Sequence, residues 1–301
     1  MKKTSYHDPV LLQPSVTALI TDPKGVYVDA TFGGGGHSQE ILNQLDESGQ
    51  LFAFDQDQDA FENAIDDPRF TLIEANFKDI KRYLKLYGVK ELTGVLADFG
   101  VSSHQFDAEE RGFSIRFDGP LDMRMDQHAS LDAADVVNDY SLEALTDLFK
   151  YYGEVKGAYR VAEAICAARQ SEKIETTKAL IDVVTPLVPE RFLNKTLAQI
   201  FQAIRIEVNQ ELEVIKTFLK GATEVLQTDG RLVCISYHSL EDRLVKRFIQ
   251  QGVFEGEAPQ DFFGNRDLPL KKVGGLIMPD EEEIKRNNRA RSAKLRIAKK
   301  I

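Results

Sequence analysis

The spacing of apolar residues over the first hundred positions predicts an alternation of strands and helices. Short apolar runs, which are typical of buried strands, lie at 25–31, 50–55, 70–75 and 94–98. Between these runs, apolar residues recur at helical spacing over 37–45, 58–65 and 79–87. Strands and helices that alternate in this way predict a doubly wound α/β fold with a parallel sheet and right-handed crossovers.

Beyond position 104 the alternation stops, and a helical region interrupts the predicted sheet. Helical patterns lie at 141–152, 155–169 and 176–188, and no strand-like run separates them. We therefore expect residues 105–196 to form an inserted helical domain for substrate recognition. The α/β domain would then consist of residues 1–104 and 197–301.

The α/β pattern resumes in the last third of the chain. An apolar stripe over 196–226 predicts one long helix, which is followed by a fifth strand at 232–236 and a helix at 240–250. Two later apolar segments, at 272–278 and 293–297, are expected to pair as an antiparallel edge. Seven strands with an antiparallel end favour a Rossmann-like class I methyltransferase over a dehydrogenase.

The composition is that of a globular protein with one large or two moderate domains. The chain has 301 residues, of which 43% are hydrophobic and 29% are charged. Its two cysteines, Cys166 and Cys234, are far apart in the sequence and predict no disulfide framework. No apolar run resembles a signal peptide or a membrane span, so we expect a cytoplasmic protein without a membrane partner.

Charge is unevenly distributed along the chain. The net charge is −10, which argues against a general nucleic-acid binder. Residues 284–301, however, carry eight basic side chains and no acidic ones, Arg289 and Arg291 among them. This basic strip on an acidic protein predicts a polyanion bound at one face, although a solvated terminal strand would give the same pattern.

The most informative motif is a glycine run that follows the first predicted strand. The chain passes directly into Gly33, Gly34, Gly35 and Gly36, and a helical pattern comes next. Glycine lets the backbone turn sharply there and lie against a ligand at the carboxyl end of a strand. Asp55 ends the second strand, where an acidic side chain can hydrogen-bond ribose hydroxyls. The combination predicts a site for a nucleotide-type cofactor.

The glycine spacing narrows the choice of cofactor. Counted from Gly33, the third glycine of the dinucleotide pattern falls on Ser38, and no Gly-Lys-Ser/Thr sequence follows as in a P-loop. A ligand with a ribose and little or no phosphate is therefore indicated, and S-adenosylmethionine fits that description. A purely structural turn and an NAD-dependent dehydrogenase remain the alternatives at this point.

No metal site is expected. Asp55-x-Asp57-x-Asp59 resembles the start of a calcium loop, but Ala60 stands where that loop needs glycine and Asp66 where it needs glutamate. The histidines are too scattered along the chain for a zinc site.

Ordered motifs lie along nearly the whole chain. They are His7-x-Pro9-Val10-Leu11-Leu12, Thr31-Phe32-Gly33-x-Gly35-Gly36-His37-Ser38, Asp98-x-Gly100-Val101-Ser102-Ser103, Glu110-Arg111-Gly112-Phe113-Ser114, Asp118-Gly119-Pro120-Leu121-Asp122-Met123-Arg124-Met125, Ser236-x-His238-Ser239-Leu240-Glu241-Asp242-Arg243 and Arg289-Ala290-Arg291-Ser292. This ordered set resembles one family, the bacterial 16S ribosomal RNA cytosine-N4 methyltransferases. One position departs from the family pattern, because His104 stands where proline is usual.

The resemblance implies S-adenosylmethionine-dependent methylation of a cytosine in the decoding region of 16S rRNA, with the rRNA bound within the small ribosomal subunit and no DNA partner. It also implies a methyltransferase domain interrupted by a helical domain. The cofactor contacts that it implies are Gly35, Gly36, His37, Asp55 on the ribose, Phe77, Asp98 and Gln105.

Two residues are the candidates for catalysis, and four for substrate binding. Asp98, which ends the fourth strand, leads because an acceptor beside the target amine can take a proton as the methyl group is transferred. His238, after the fifth strand, is the second candidate. Arg111 and Arg124 in a loop, with Arg289 and Arg291 in the basic strip, are expected to bind RNA.

Two further alternatives share these cofactor features. A methyltransferase acting on a protein or a small molecule would have the same turn and the same acidic residue, and only the arginine loop and the basic strip favour RNA. A non-catalytic ribosome-assembly factor could use the fold for binding alone.

Overall fold

A computed structural model describes residues 9–258, 260, 266 and 268–301. His7, in the first of the family motifs, lies outside the described residues. The described part contains a seven-stranded mixed sheet whose strands lie in the order β3-β2-β1-β4-β5-β7-β6. The strands are β1 (Val26–Asp29), β2 (Gln50–Asp55), β3 (Phe70–Glu74), β4 (Leu92–Asp98), β5 (Leu226–Ser236), β6 (Leu270–Lys272) and β7 (Lys294–Lys300).

The direction of the strands confirms the predicted class I methyltransferase architecture. Strands β1 to β5 are parallel to their neighbours, β7 is antiparallel to β5, and β6 is antiparallel to β7. The order reverses between β1 and β4, and ligands of open α/β sheets bind beyond the carboxyl ends of the strands at such a point. The antiparallel pair predicted at the end of the chain is present, with its first strand beginning earlier than expected.

The described helices follow the predicted alternation in the α/β part and cluster in the middle of the chain. They are α1 (Leu12–Leu19), α2 (Gly36–Gln44), α3 (Ile80–Leu86), α4 (Ser103–Asp107), α5 (Ala133–Asp139), α6 (Leu142–Tyr151), α7 (Ala158–Ala168), α8 (Thr177–Val184), α9 (Glu190–Val208), α10 (Glu211–Val225), α11 (Ser239–Gln251) and α12 (Glu281–Arg286). Short 3-10 helices lie at Gln58–Asn63, Phe77–Asp79, Glu109–Arg111, Thr185–Leu187 and Asn288–Ser292.

The chain divides into two compact units, each with its own apolar core. The first comprises Met1–Gly100 and Leu212–Ile301, and the second comprises Val101–Glu211. An apolar core of the first unit includes Phe54, Ile80 and Phe218. The second unit is helical and packs around residues such as Phe149 and Ile204.

The single long helix expected over 196–226 is wrong, because the chain breaks between α9 and α10. Gln210 has the left-handed backbone angle φ 49°, which ends a helix. The Asn209 side chain supports the break, since its Nδ2 donates to the Met123 carbonyl at 2.8 Å and its Oδ1 accepts the Met125 N–H at 2.8 Å. Helix α9 therefore belongs to the helical unit, which extends to Glu211, beyond the expected boundary at 196.

The segment between β2 and β3 forms a different kind of helix from the one that the sequence predicts. The pattern at 58–65 predicts a helix, and the structure has a 3-10 helix at Gln58–Asn63, where Asp57 accepts the Asp59 N–H at 3.2 Å.

None of the helices that the described residues form has the length and apolarity required to cross a membrane.

Candidate active site

The glycine run forms the turn between β1 and α2. Gly33 and Gly35 have positive φ angles of 50° and 76°, and Gly35 is the N-cap of α2. A side-chain carbon built on Gly35 would also lie 3.0 Å from the ring of Phe32. The turn leaves the backbone N–H groups at the start of α2 without helical partners, which favours an anionic or polar ligand group there.

Gly36 and His37 serve packing as well as the turn. A side-chain carbon on Gly36 would lie 2.2 Å from Cγ of Pro9. The His37 side chain is buried, and its Nε2 lies 3.1 Å from the Val10 carbonyl oxygen. Burial lowers the pKa of His37 despite the neighbouring Asp29, so the ring is neutral and Nε2 carries the hydrogen that it donates to Val10. Cofactor contacts of these two residues remain a prediction, which their backbone N–H groups could satisfy.

Asp29, at the end of β1, lies beside the glycine turn and is not among the residues predicted from the sequence. Its carboxyl is buried, accepts the Ser38 hydroxyl at 2.7 Å and accepts the Thr31 N–H at 3.1 Å. Burial raises the pKa of Asp29, which His37 and these hydrogen bonds oppose. An acidic residue that interrupts an apolar strand just before a glycine turn was the available signal.

Asp55 connects the glycine turn to β2. Its Oδ2 accepts the Gly33 N–H at 2.8 Å, and its Oδ1 accepts the Asp57 N–H at 2.9 Å. Burial raises the pKa of Asp55 to about 6. Each carboxylate oxygen has a second lone pair, so the group has acceptor capacity for the two hydroxyls of a ribose.

Asp98 ends β4 beside the same turn. Its N–H donates to Oγ1 of Thr31 at 2.7 Å. The residue is partly exposed, but its Oδ1 is inaccessible to solvent and has no hydrogen-bond partner among the described residues. Burial raises the pKa of Asp98 to about 8, and the neighbouring Asp29 and Glu241 act in the same direction. A buried oxygen without a partner indicates a polar ligand at this point.

His238 follows β5 and is the N-cap of α11. Glu241 completes a capping box, because its Oε2 accepts the Tyr237 N–H at 2.8 Å and the His238 N–H at 3.2 Å. The Glu241 N–H points to Nδ1 of His238 at 3.5 Å. This geometry gives the imidazole a structural role at the helix N-terminus, and a catalytic role remains a prediction.

Phe77 lies in an aromatic cluster on the sheet. Its ring centroid is 5.1 Å from that of Phe218 and 6.0 Å from that of Phe99. The side chain is only partly buried. The arrangement positions the ring firmly, and the adenine contact remains a prediction.

Three predicted site residues lie in the helical unit. Gln105 is buried and forms a capping box with Ser102, whose N–H it accepts at 3.0 Å. Arg111 is buried as well, and its guanidinium donates to the Arg124 carbonyl at 2.9 Å. Arg124 forms a two-pronged ion pair with Asp122, at 2.9 and 2.6 Å. The arginines thus brace their loop, and their contacts with RNA remain a prediction.

The basic strip divides into two parts. On β7, Lys294 and Arg296 pair with Asp242 at 3.5 and 2.6 Å, while Lys299 pairs with Asp229. Strand β7 lies inside the sheet, between β5 and β6, so much of its charge is neutralised by protein groups.

The other part of the strip precedes β7 and includes Arg289 and the exposed Arg291 in a 3-10 helix. Lys294 pairs in register with Ser236, the last residue of β5. Because β7 is antiparallel, the chain enters it at the carboxyl edge of β5. The 3-10 helix therefore lies at the edge of the sheet that holds Asp98.

Comparison with known proteins decides the family. The profile of the MraW methylase family matches residues 4–301. The chain belongs to the MraW methylase family. The ribosomal RNA small subunit methyltransferase H of Flavobacterium johnsoniae is 59% identical over 296 residues, which cover 98% of each chain. The protein of the same name from Christiangramia forsetii is 58% identical, also over 98% of each chain.

Among solved structures, an rRNA methylase from Streptococcus thermophilus aligns over 95% of this chain and 92% of its own, at 10% identity and a TM-score of 0.42.

As an MraW methylase, the chain is an enzyme whose cofactor is S-adenosylmethionine. The site fits that group: the turn at Gly35 exposes backbone donors, Asp55 has free acceptor capacity, and Asp98 holds a buried oxygen without a partner among the described residues. These groups lie at neighbouring strand ends, since β1 pairs with both β2 and β4.

Proposed function

We propose that this MraW methylase transfers a methyl group from S-adenosylmethionine to N4 of a cytosine in the decoding region of 16S rRNA. The observation that carries the proposal is the buried Oδ1 of Asp98, which no described residue hydrogen-bonds, at the strand end beside the glycine turn. The relatives named ribosomal RNA small subunit methyltransferase H support the same substrate class.

Residues that follow or end three of the strands would contact the cofactor. Asp55 at the end of β2 would bind the ribose hydroxyls, and the N–H groups at the start of α2 would bind the polar amino-acid end of the cofactor. Phe77 would offer its ring to the adenine. Gln105 would add a further contact with the cofactor.

The chemistry at the amine is a nucleophilic displacement. When bound, S-adenosylmethionine supplies a methyl group, whose bond to sulfur breaks with its electron pair left on sulfur while the amine nitrogen forms the new bond. The nitrogen then carries a surplus proton. Asp98 in its ionised form would accept that proton. The hydrogen bond from its backbone N–H to Oγ1 of Thr31 ties the end of β4 to the turn after β1.

The substrate side is expected to be basic. The target cytosine must leave its stack for N4 to reach the carboxyl edge of the sheet. Arg289 and Arg291 precede β7 at that edge and would contact the RNA backbone. Arg111 and Arg124 would act through the loop that they brace. The small ribosomal subunit, in the cytoplasm, is the expected setting.

Mapping of modified nucleotides in a deletion strain tests the proposal. We expect one cytosine of 16S rRNA to lose its N4 methyl group, and a plasmid copy of the gene to restore it. A plasmid copy carrying Asp98→Asn should fail to restore it. Full restoration of methylation by Asp98→Asn would contradict the role of Asp98, and an unchanged rRNA in the deletion strain would contradict the proposed substrate. Restored subunit assembly without methylation would instead favour the non-catalytic assembly factor.

A further inference from the structure

A small basic pocket lies between α11 and the antiparallel end of the sheet. Its lining includes Lys246 and Gln250 of α11, Lys272 at the end of β6, Arg296 of β7 and the backbone of Gly275. None of these residues is among those predicted from the sequence to bind the cofactor or the RNA. The pocket therefore needs an explanation of its own.

The fold brings the three basic side chains of the pocket together. Lys272 pairs in register with Ala298, and Arg296 stands two positions before Ala298, so both basic side chains lie on one face of the sheet. Ala298 and Val245 of α11 belong to the same apolar core, which shows that α11 covers this face. Lys246 follows Val245 along α11 and extends into the same space.

The pocket carries more positive than negative charge. Asp242 is the acidic partner of two cations, Arg296 at 2.6 Å and Lys294 at 3.5 Å, so one carboxylate faces two positive charges. Lys246 and Lys272 are exposed, and neither forms an ion pair with a residue in the described part of the chain. This surplus of positive charge attracts an anion.

Gly275 adds an observation that is independent of charge. Its φ angle is not positive, and a side-chain carbon built on it would meet no atom within 4 Å. Neither the backbone conformation nor the packing therefore requires glycine at this position, in contrast to Gly274, whose φ is 66°. A glycine in open space lets a ligand approach the backbone closely. Together with the cations, it points to a compact anion such as a phosphate group.

The pocket lies within reach of a strand whose target base is at Asp98. Arg296 pairs in register with Cys234, and Asp98 pairs with Ile235, so the pocket and Asp98 are at nearly the same level along β5. Strands β7 and β6 are the second and third strands from β4, and strands are about 4.8 Å apart, so the pocket lies about 10 to 15 Å across the sheet. This separation suits a nucleotide that flanks the target.

We propose that this pocket binds a backbone phosphate of the RNA substrate, on a nucleotide that flanks the target cytosine. Lys246 and Lys272 neutralise the phosphate, and the backbone of Gly275 lets it approach closely. Arg296, held in place by two hydrogen bonds to Asp242, adds a fixed positive charge. The inference rests on the proposed function, because it takes RNA as the substrate.

The test measures binding of a labelled single-stranded fragment of 16S rRNA to the full-length protein over a range of salt concentrations. In the double variant Lys246→Gln, Lys272→Gln, the Kd at low salt should rise about tenfold. The slope of log affinity against log salt should fall by about 0.7, the contribution of one phosphate in a single strand.

The matched control is Lys271→Gln. Lys271 is also exposed and precedes Lys272 in β6, so its side chain lies on the opposite face of the sheet. It should keep the wild-type Kd and slope. A loss of affinity in Lys271→Gln equal to that of the double variant would overturn the inference, because general charge rather than the pocket would then set the binding.

Gly275→Ala tests the close approach of the phosphate without a change of charge. Because the added carbon meets no protein atom within 4 Å, the free energy of unfolding should not fall. The Kd for the RNA fragment should nevertheless rise several-fold, since the carbon would obstruct the phosphate. Wild-type affinity in both Gly275→Ala and the double variant would overturn the inference.

Two further comparisons separate this inference from the proposed function. If the wild type methylates 16S rRNA and the double variant binds the fragment like the wild type, the pocket is wrong and the function stands. If the double variant loses affinity but the wild type leaves 16S rRNA unmethylated, the proposed function alone is overturned. Weaker binding of the double variant to intact small subunits, with unchanged affinity for the RNA fragment, would overturn the inference and assign the pocket to a ribosomal protein.

Discussion

Asp55 accepts the backbone N–H of Gly33 at 2.8 Å, which ties the end of β2 to the glycine turn after β1. One carboxylate thus shapes the turn and retains acceptor capacity toward the ligand side. The relationship explains why an acidic residue at this distance from a glycine run is informative: the two strands are neighbours in the sheet, so their ends meet.

Replacing Asp55 should weaken cofactor binding. Asp55→Ala removes a charge-assisted acceptor for the ribose, worth about 1.5 to 3 kcal/mol, so the Kd for S-adenosylmethionine should rise by about 10- to 100-fold. Titration calorimetry measures the change. Asp66→Ala, at an exposed position nearby, is the control and should bind normally. Unchanged affinity in Asp55→Ala would rule out the ribose contact.

The buried carboxyl of Asp98 should make the protein less stable as pH rises. Its pKa is about 8 in the folded protein, above the ordinary 3.8, so between these values the folded state holds a proton that the unfolded state has released. The proton on Asp98 therefore stabilises the folded state fully at pH values below 3.8, and this contribution to the free energy of unfolding is lost as the pH rises toward 8.

Asp98→Asn removes this dependence. The free energy of unfolding of the wild type should fall by about 2 to 3 kcal/mol more than that of the variant when the pH is raised from 5 to 7. Denaturant unfolding at the two pH values measures it. Parallel stability profiles for the wild type and the variant would show that Asp98 has an ordinary pKa.

The two arginines before β7, the partly exposed Arg289 and the exposed Arg291, should set part of the salt dependence of RNA binding. Each phosphate contact in a single strand contributes about 0.7 to the slope of log affinity against log salt. Arg291→Ala and Arg289→Ala should each lower the slope by about that amount. The control is Lys90→Ala, because Lys90 lies before β4, at the opposite end of the strands. Slopes equal to that of the wild type would argue against a contact.

Replacing Arg124, whose contacts hold its loop in place, should lower kcat/KM for RNA more than it lowers the affinity for the cofactor. Arg124 pairs with Asp122 and donates to the Ala129 carbonyl at 2.8 Å, so Arg124→Ala should loosen the loop. Misplacement of a substrate-binding loop can lower kcat/KM for RNA by up to about 100-fold. Cofactor affinity should stay within about twofold of the wild type, because none of the predicted cofactor contacts lies in this loop.

Lys178→Ala supplies the control, since it breaks an exposed ion pair in the same unit, and such pairs contribute little to stability. If Arg124→Ala abolished cofactor binding while Asp98→Ala methylated rRNA at the normal rate, the roles assigned to the loop and to the strand end would be reversed.

Sequence patterns predicted the parallel strands well because most of them are largely buried and are rich in apolar residues. Strand β2 has the predicted bounds, Gln50–Asp55. The break at Gln210 was missed because glutamine has no strong preference for a left-handed conformation, and the Asn209 contacts that support the break come from residues far away in the sequence.

The site shows the same division between local and distant information. The glycine turn and Asp55 carry local signals, and the structure places them side by side. The position of Tyr237 beside the end of β4 depends on the register between β4 and β5, which the sequence does not display. The burial of Arg111 was missed because a charged residue in a polar loop normally predicts exposure.

The most direct test of the account is an assay with purified protein, radiolabelled S-adenosylmethionine and small ribosomal subunits from a strain that lacks the gene, followed by nucleoside analysis. We predict label in N4-methylcytidine from a single cytosine of 16S rRNA, and no label with Asp98→Asn. Label in a ribosomal protein, in another nucleoside, or in none of the products would contradict the proposed function.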